Sequence, residues 1–169
     1  TCRTREQAAL MADAAALWQQ GQDAIRAQRF DEARERFEQL LRMQPAHLGA
    51  RLLLAGVHLA QGHARAAAQE TLAAARALPS DANAIVRVAQ ALRQLGETNA
   101  ARAVLAHPFL AATRDPRALL AAAHVQQGLN EHARALPLMD RALALGLDNP
   151  DLRYFRALQL QFHGRLAEA

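Results

Sequence analysis

Four stretches of this 169-residue chain repeat one another at a nearly constant spacing. They read LAQGHARAA, RQLGETNAA, VQQGLNEHA and QFHGRLAEA, and aligning them places Gly62, Gly96, Gly128 and Gly164 at intervals of 34, 32 and 36 residues. Gln28 precedes the first of these glycines by another 34 residues. Self-similarity at a period of roughly 20–50 residues is typical of arrays in which each repeat buries its apolar face against a neighbour. The chain is therefore predicted to be a stack of similar structural repeats.

Each repeat has the pattern of two helices joined by a tight turn. In the segment LLLAGVHLA the apolar residues recur at steps of three and four, as on one face of a helix. Gly62 suits the left-handed residue that ends this helix, and a second helical run extends from Ala64 to Leu78 before Pro79. Where two helices cross closely, only a side chain of about methyl size fits between them. Such a residue follows each turn by five positions, at Ala33, Ala67, Ala101, Ala133 and Ala169.

Small and aromatic residues in the first two repeats follow a known pattern, G-x-x-Y, A-x-x-x-F and P. The first repeat fills these positions with Gly21, Ala24, Ala33, Phe37 and Pro45. The second repeat keeps Gly62, Ala67, Ala74 and Pro79. These residues resemble the tetratricopeptide repeat family, although Ala24 replaces the aromatic residue. The resemblance implies an all-α fold, a right-handed α-solenoid of antiparallel helix pairs, and a non-catalytic protein-interaction scaffold.

The repeat pattern predicts one domain over residues 1–169 and the bounds of its parts. An N-terminal helix extension at 4–13 precedes repeats at about 14–47, 48–81, 82–113 and 114–149 and an incomplete repeat at 150–169. First helices are predicted at 5–28, 47–61, 82–95, 115–127 and 150–163, and second helices at 31–43, 64–78, 98–106 and 130–145. Thr4 and Gln7 predict a capping box. Because proline removes a backbone donor, Pro108 predicts a shortened helix and Pro137 a kink.

The reactive side chains exclude several kinds of catalytic site. The chain has no lysine, a single serine, cysteine and tyrosine, and arginine at all 20 basic positions. It therefore lacks the lysine of a phosphate-binding loop, and a guanidinium group does not serve as a Schiff-base amine or a titrating base. No catalytic residue and no cofactor are predicted.

Seven histidines raise the question of a metal site. His58 and His124 are interpreted as packing residues, at the position where the resembled family has its tyrosine. No His-x-x-x-His or Cys-x-x-Cys pair supplies the ligand spacing of a zinc site. No metal is predicted.

The net charge of +4 comes from arginines that are interleaved with acidic residues. A surface that follows phosphates should instead concentrate its basic residues on one stripe, so RNA binding is the lesser alternative. No apolar run approaches the roughly 20 residues that would span a bilayer. The opening residues TCRTREQ also lack the apolar core of a signal peptide. We expect a cytoplasmic protein without a membrane partner.

The inner face of the first helices is the predicted binding surface. Its residues are Trp18, Gln22, Arg26, Leu52, Gly56, Leu59, Val86, Arg87, Gln90, Arg93, Ala118, Ala122 and Val125. Small and apolar residues leave room there, while glutamine and arginine supply donors, a combination that suits an extended peptide or a helix of a partner protein. Forked hydrogen bonds from Arg26, Arg87 and Arg93 favour a ligand that carries carboxylates. For Leu52, Val86 and Val125 the alternative interpretation is that they belong to the core.

The last predicted helix carries three of the aromatic residues, Tyr154, Phe155 and Phe162. Its apolar residues point to more than one side, whereas the final repeat of an array normally has a polar outer face. We expect the natural chain to continue beyond Ala169, and this segment to self-associate through the helix from Asp151 to His163. An alternative is the N-terminal recruitment region of a larger enzyme, because the alanine- and arginine-rich style is similar to repeat regions that precede bacterial sulfotransferase domains.

Overall fold

The computed structural model describes residues 2–162 and Gly164, and these residues form helices and short turns without a strand. The helices are α1 (Cys2–Arg26), α2 (Phe30–Met43), α3 (Leu48–Ala60), α4 (Ala64–Arg76), α5 (Ala82–Gln94), α6 (Thr98–Leu105), α7 (Pro108–Ala112), α8 (Pro116–Gly128), α9 (His132–Ala144) and α10 (Pro150–Phe162). They fall into two compact units, Thr1–Ala77 with α1–α4 and Leu78–Ala169 with α5–α10. We call them unit 1 and unit 2. The predicted all-α class, built from helix pairs, is confirmed.

In unit 1, α1 pairs with α2 and α3 with α4, and α2 also packs on α3. Phe37 of α2 is fully buried, and its ring lies directly over Gly21 of α1. A β-carbon at Gly21 would come within 2.6 Å of Cε1 of Phe37, so only glycine permits this contact. Ala24 and Ala33 are also completely buried. The small residues of the repeat pattern therefore stand where two helices approach closely.

In unit 2, α5 pairs with α6 and α8 with α9, while α8 also packs on α5 and α10 on α9. One core cluster of this unit is built from residues with almost no exposed surface, Leu119, Ala123, Ala135, Met139, Ala142 and Leu152. The predicted shortening at Pro108 is confirmed, because α6 ends at Leu105 and Pro108 begins the separate five-residue helix α7. The sequence pattern did not predict α7. Pro137 lies inside α9, and its kink stays a prediction.

The turn residues show that the repeats are in stricter register than the glycine alignment indicates. Positive φ angles recur at intervals of 34 residues, at Gln28 (57°), Gly62 (80°), Gly96 (80°), Asn130 (59°) and Gly164 (68°), and a further one occurs at Gly146 (89°) after α9. Asparagine tolerates the left-handed region better than most residues, so it replaces glycine in this turn.

The alignment on Gly128 is therefore wrong by two residues, because Gly128 is the last residue of α8. The alanine at the helix crossing is correspondingly Ala135, which is fully buried. The predicted Ala133 is exposed, and Ala169 lies outside the described residues.

Helix bounds elsewhere agree with the predicted ones to within two residues, except at the start of α1. Helix α1 already includes Cys2, so Thr4 lies inside it and does not act as its N-cap. The predicted capping box is wrong. The segment REQAALMADAAAL consists mostly of strong helix formers, so the helix extends past the position at which a cap was expected.

Candidate functional site

Trp18 was predicted to face the groove, and its side chain packs against other side chains of unit 1. Its ring centroid lies 5.9 Å from that of Phe37 and 4.9 Å from that of His47. A β-carbon at Gly49 would meet the indole at 2.9 Å, so α3 approaches it closely as well. Trp18 thus joins three helices or their turns and presents only part of its surface to solvent.

The other predicted residues of unit 1 form a shallow face without an unpaired arginine. Nη1 of Arg26 lies 2.7 Å from the Asp23 carboxylate, which also accepts a hydrogen bond from Gln19. Gln22 and Leu52 are half-buried, while Gly56 and Leu59 are exposed. A side chain at Gly56 would meet nothing within 4 Å.

In unit 2 the structure places four residues of the predicted surface in the core. Val86 and Val125 are each 3% exposed and Ala122 is fully buried, and of these three only Val125 lines the cleft described below. Ala118 is likewise fully buried. For Ala118 and Ala122 the cause is the two-residue error in the glycine alignment, because His124 stands 34 residues after Gln90. His124 packs against Phe155, in agreement with its interpretation as a packing residue, and it also keeps an exposed surface.

A cleft of about 130 Å³ lies between α5 and α8. Gln90 and Arg93 of α5 line one side, and Ala121, His124 and Val125 of α8 line the other. Arg87 is exposed one helical turn before Gln90 and so lies on the same side of α5. We call these six residues the unit 2 groove. Four of them, Arg87, Gln90, Arg93 and Val125, were predicted from the sequence.

Arg93 is the polar residue most deeply placed in the unit 2 groove. Its side chain is half-buried and lies across Gly128, where a β-carbon would come within 2.9 Å of Cδ, Nε and Nη1. Its Nε is buried and donates to no atom of the described residues. A buried donor without an acceptor costs about 1–3 kcal/mol. The groove therefore contains a charged side chain whose Nε has no acceptor among the described residues.

His124 joins the unit 2 groove to α10. Its ring centroid lies 5.1 Å from that of Phe155 in an edge-on arrangement. This packing removes part of the hydration of the imidazole and lowers the pKa of His124, while the Asp151 carboxylate acts in the opposite direction. Because the unperturbed pKa is about 6.5, His124 is neutral at pH 7 and can donate or accept a hydrogen bond.

The aromatic residues of α10 are only partly free. Tyr154 is 62% exposed and its ring centroid lies 5.7 Å from that of the half-buried Phe155. Of the apolar residues that were expected to point to more than one side of this helix, Leu152 and Leu160 are fully buried within unit 2. The side chain of Phe162 lies outside the described residues. Self-association through this helix stays a prediction.

Among the described side chains of residues 7–161, no three histidine, cysteine, aspartate or glutamate residues are grouped so that they could hold a metal ion. Over the same residues, no helix is both long enough and apolar enough to cross a membrane.

Known proteins share both the sequence pattern and the fold. Residues 18–82 match the family model of the tetratricopeptide repeat. The crystal structure of MamA protein superposes with a TM-score of 0.67 at 17% identity, covering 92% of this chain and 85% of that one. A tetratricopeptide repeat protein from Parabacteroides merdae superposes with a TM-score of 0.68 at 18% identity, covering 93% of this chain and 62% of that one. The structure of pilF from Pseudomonas aeruginosa superposes with a TM-score of 0.66 at 16% identity, covering 95% of this chain and 78% of that one. Curated proteins give no significant match.

At such identities the structural likeness concerns the fold, and the family model adds the sequence pattern. Repeats of this family generally mediate protein–protein interactions and are typically non-catalytic. Residues 18–82 thus carry the sequence pattern of the tetratricopeptide repeat, and the described residues have the fold of tetratricopeptide repeat proteins, which supports the general character of an interaction scaffold.

Proposed function

We propose that the protein holds a peptide segment of a partner protein in the unit 2 groove, with Arg93 binding a carboxylate of that segment. The observation that carries this proposal is the buried, unpartnered Nε of Arg93 at the cleft between α5 and α8. A carboxylate oxygen would accept from Nε and from the neighbouring terminal nitrogen of the same guanidinium. Paired hydrogen bonds of this kind are among the strongest that an arginine makes.

The charges around the unit 2 groove support an acidic ligand. Within the described residues, neither Arg87 nor Arg93 has a carboxylate within 4.0 Å, whereas Arg26 of unit 1 is already paired with Asp23. Gln90 adds a neutral donor beside Arg93. An acidic ligand can therefore pair with either arginine without first displacing an internal carboxylate.

The size of the cleft supports a side chain of a peptide as its occupant. Sites for small molecules and cofactors enclose roughly 300–1,000 Å³, and this cleft encloses about 130 Å³. It accommodates one side chain of a longer ligand, with the rest of the ligand lying across the helices. Preformed helical grooves bind extended or helical segments in this way.

The test is a titration of the whole chain with a fluorescently labelled acidic peptide, followed by anisotropy. Changing Arg87→Glu and Arg93→Glu together should weaken binding at least roughly tenfold, because each charge-assisted hydrogen bond contributes about 1.5–3 kcal/mol. The matched control changes Arg65→Glu and Arg76→Glu, two exposed arginines of α4 in unit 1. Circular dichroism should show equal helicity in all three proteins. Equal affinity of the two double variants would remove the groove arginines from the mechanism.

Two alternatives stay predictions. The first is that the segment is the recruitment region of a larger enzyme, and the second is that it is a helical repeat that binds RNA. Generic RNA added to the same titration distinguishes the second alternative, since binding to phosphates depends steeply on salt. Cytoplasmic location likewise stays a prediction.

A further inference from the structure

The two sides of the binding face in unit 2 have opposite chemical character. On α5 the exposed or half-buried charged residues are the arginines Arg87 and Arg93. On α10 the corresponding face carries Asp151, Tyr154 and Phe155, which we call the α10 shelf. Asp151 is exposed in the first turn of α10, and Tyr154 is the most exposed aromatic residue among the large hydrophobic side chains described.

The α10 shelf is continuous with the unit 2 groove through His124. The ring of His124 contacts Phe155, and the Asp151 carboxylate is near enough to act on the pKa of that same histidine. Asp151 and Phe155 are four residues apart on α10, so they lie one above the other on one helix face. A ligand that extends from Arg93 across His124 therefore reaches the α10 shelf.

The α10 shelf has the two features that bind a cation. An exposed carboxylate provides charge, and the aromatic ring of Tyr154 provides a face that attracts a cationic group. The two neighbouring arginines of α10 point to other acids, since Arg153 pairs with Asp148, and Arg156 lies 2.6 Å from Asp140. No arginine of the described residues lies within 4.0 Å of Asp151.

We infer that the binding face of unit 2 selects a peptide with two opposite charges: an acidic side chain bound by Arg93 and a lysine or arginine side chain bound on the α10 shelf. This inference rests on the proposed function, because the acidic end anchors the ligand. Neighbouring helix axes are about 8–10 Å apart. The steps from α5 to α8 and from α8 to α10, with the offset along the helices, therefore separate Arg93 from the α10 shelf by roughly 20 Å. An extended chain covers that distance in about six residues at ~3.3 Å each.

The experiment uses blocked peptides with paired glutamates at one end and one lysine placed two, four, six or eight residues further on. Proline and alanine spacers keep these probes extended. Competition against the labelled acidic peptide gives their affinities for the whole chain. We expect the lysine to tighten binding about fivefold when it is close to six residues away, the size of an exposed cation–π contact with a nearby carboxylate. Norleucine in place of this lysine should give no gain.

Two variants locate the cationic end. Asp151→Asn and Tyr154→Leu should each remove most of the gain from lysine, while the affinity for the peptide without lysine stays unchanged. The matched control is Glu35→Gln, which removes an exposed carboxylate from α2 in unit 1. Tyr154 is the sole tyrosine of the chain, so its ring resonances in an NMR spectrum should shift with the lysine peptide and not with the norleucine peptide.

The outcomes separate the inference from the proposed function. If glutamate peptides bind equally well with and without lysine at every spacing, the inference is wrong and the proposed function stands. The same holds if Asp151→Asn keeps the full gain from lysine. If no glutamate peptide binds the protein, the proposed function itself is wrong.

Discussion

The first helices of unit 1 and unit 2 present faces that the sequence predicts to be alike, and the structure uses them differently. In unit 1 the large residue of the face, Trp18, packs against Phe37 and His47, and the arginine of the face is paired with Asp23. In unit 2 the buried Nε of Arg93 has no partner among the described residues. We therefore expect Arg93 of unit 2, and not Arg26 of unit 1, to be available to a ligand.

Of the substitutions that distinguish the two units, Trp18→Ala is expected to have the largest effect on stability. Loss of an indole that packs on three helices or turns should lower the free energy of unfolding of unit 1 by about 3 kcal/mol, at the lower end for such changes because the ring is half-buried. The acidic peptide should bind with unchanged affinity. Urea unfolding followed by circular dichroism measures the first effect, and anisotropy measures the second. A large loss of peptide affinity with intact folding would move the binding site to unit 1.

A smaller effect is expected at the turns, where the residue type differs between otherwise equivalent positions. Gly62→Ala should destabilise unit 1 by about 1 kcal/mol, because the left-handed backbone disfavours a residue with a β-carbon although the space around it is open. Gln28→Gly should stabilise it by about 0.5 kcal/mol, since relief of backbone strain exceeds the added entropy of the unfolded chain. Asn130→Gly should change the free energy of unfolding of unit 2 by less than Gln28→Gly changes that of unit 1. Destabilisation by Gln28→Gly would contradict this account of the turn.

The turns also show which features of the fold could be predicted from the sequence and which could not. The helix pairs follow from local signals that the sequence shows directly: apolar periodicity, prolines and turn residues at a fixed interval. The register of the fourth turn did not follow, because Gly128 stood two residues from an asparagine that performs the same role. The error selected Ala122 in place of His124. A strict interval of 34 residues, with asparagine allowed at the turn, would have identified His124.

Other parts of the site depend on tertiary contacts that no sequence interval contains. The position of Arg93 over Gly128 and the pairing of Arg26 with Asp23 decide which arginine is available. The sequence shows both arginines as equal candidates on the same kind of helix face.

Glycine-to-alanine changes sharpen the comparison between the two faces. Gly56→Ala should stabilise α3 by about 0.5–1 kcal/mol without affecting peptide binding, because the added methyl group meets open space. Gly128→Ala should leave stability within about 0.5 kcal/mol and weaken peptide binding, because the methyl group displaces the guanidinium of Arg93. Thermal unfolding and anisotropy measure the two effects. Unchanged affinity in Gly128→Ala would show that the placement of Arg93 does not matter.

The smallest effect is expected from His124 as the pH falls. Packing lowers the pKa of His124 in the folded protein, so the unfolded chain binds more protons near the unperturbed value of about 6.5. Its contribution to the free energy of unfolding is therefore complete above that pH and decreases as the pH falls through it. Unfolding at pH 7.5 and 5.5 should show less pH dependence in His124→Gln than in the original protein. The control is His63→Gln, an exposed position in unit 1.

The most direct test of the difference between the two units is hydrogen–deuterium exchange of the whole chain with and without the acidic peptide. The amides of α5 and α8 should exchange more slowly when the peptide is bound, because ligand binding suppresses local opening of the helices that hold it. Those of α1 and α3 should exchange at the same rate in both samples. Slower exchange in α1 and α3, with α5 and α8 unchanged, would contradict the assignment of the binding site to unit 2.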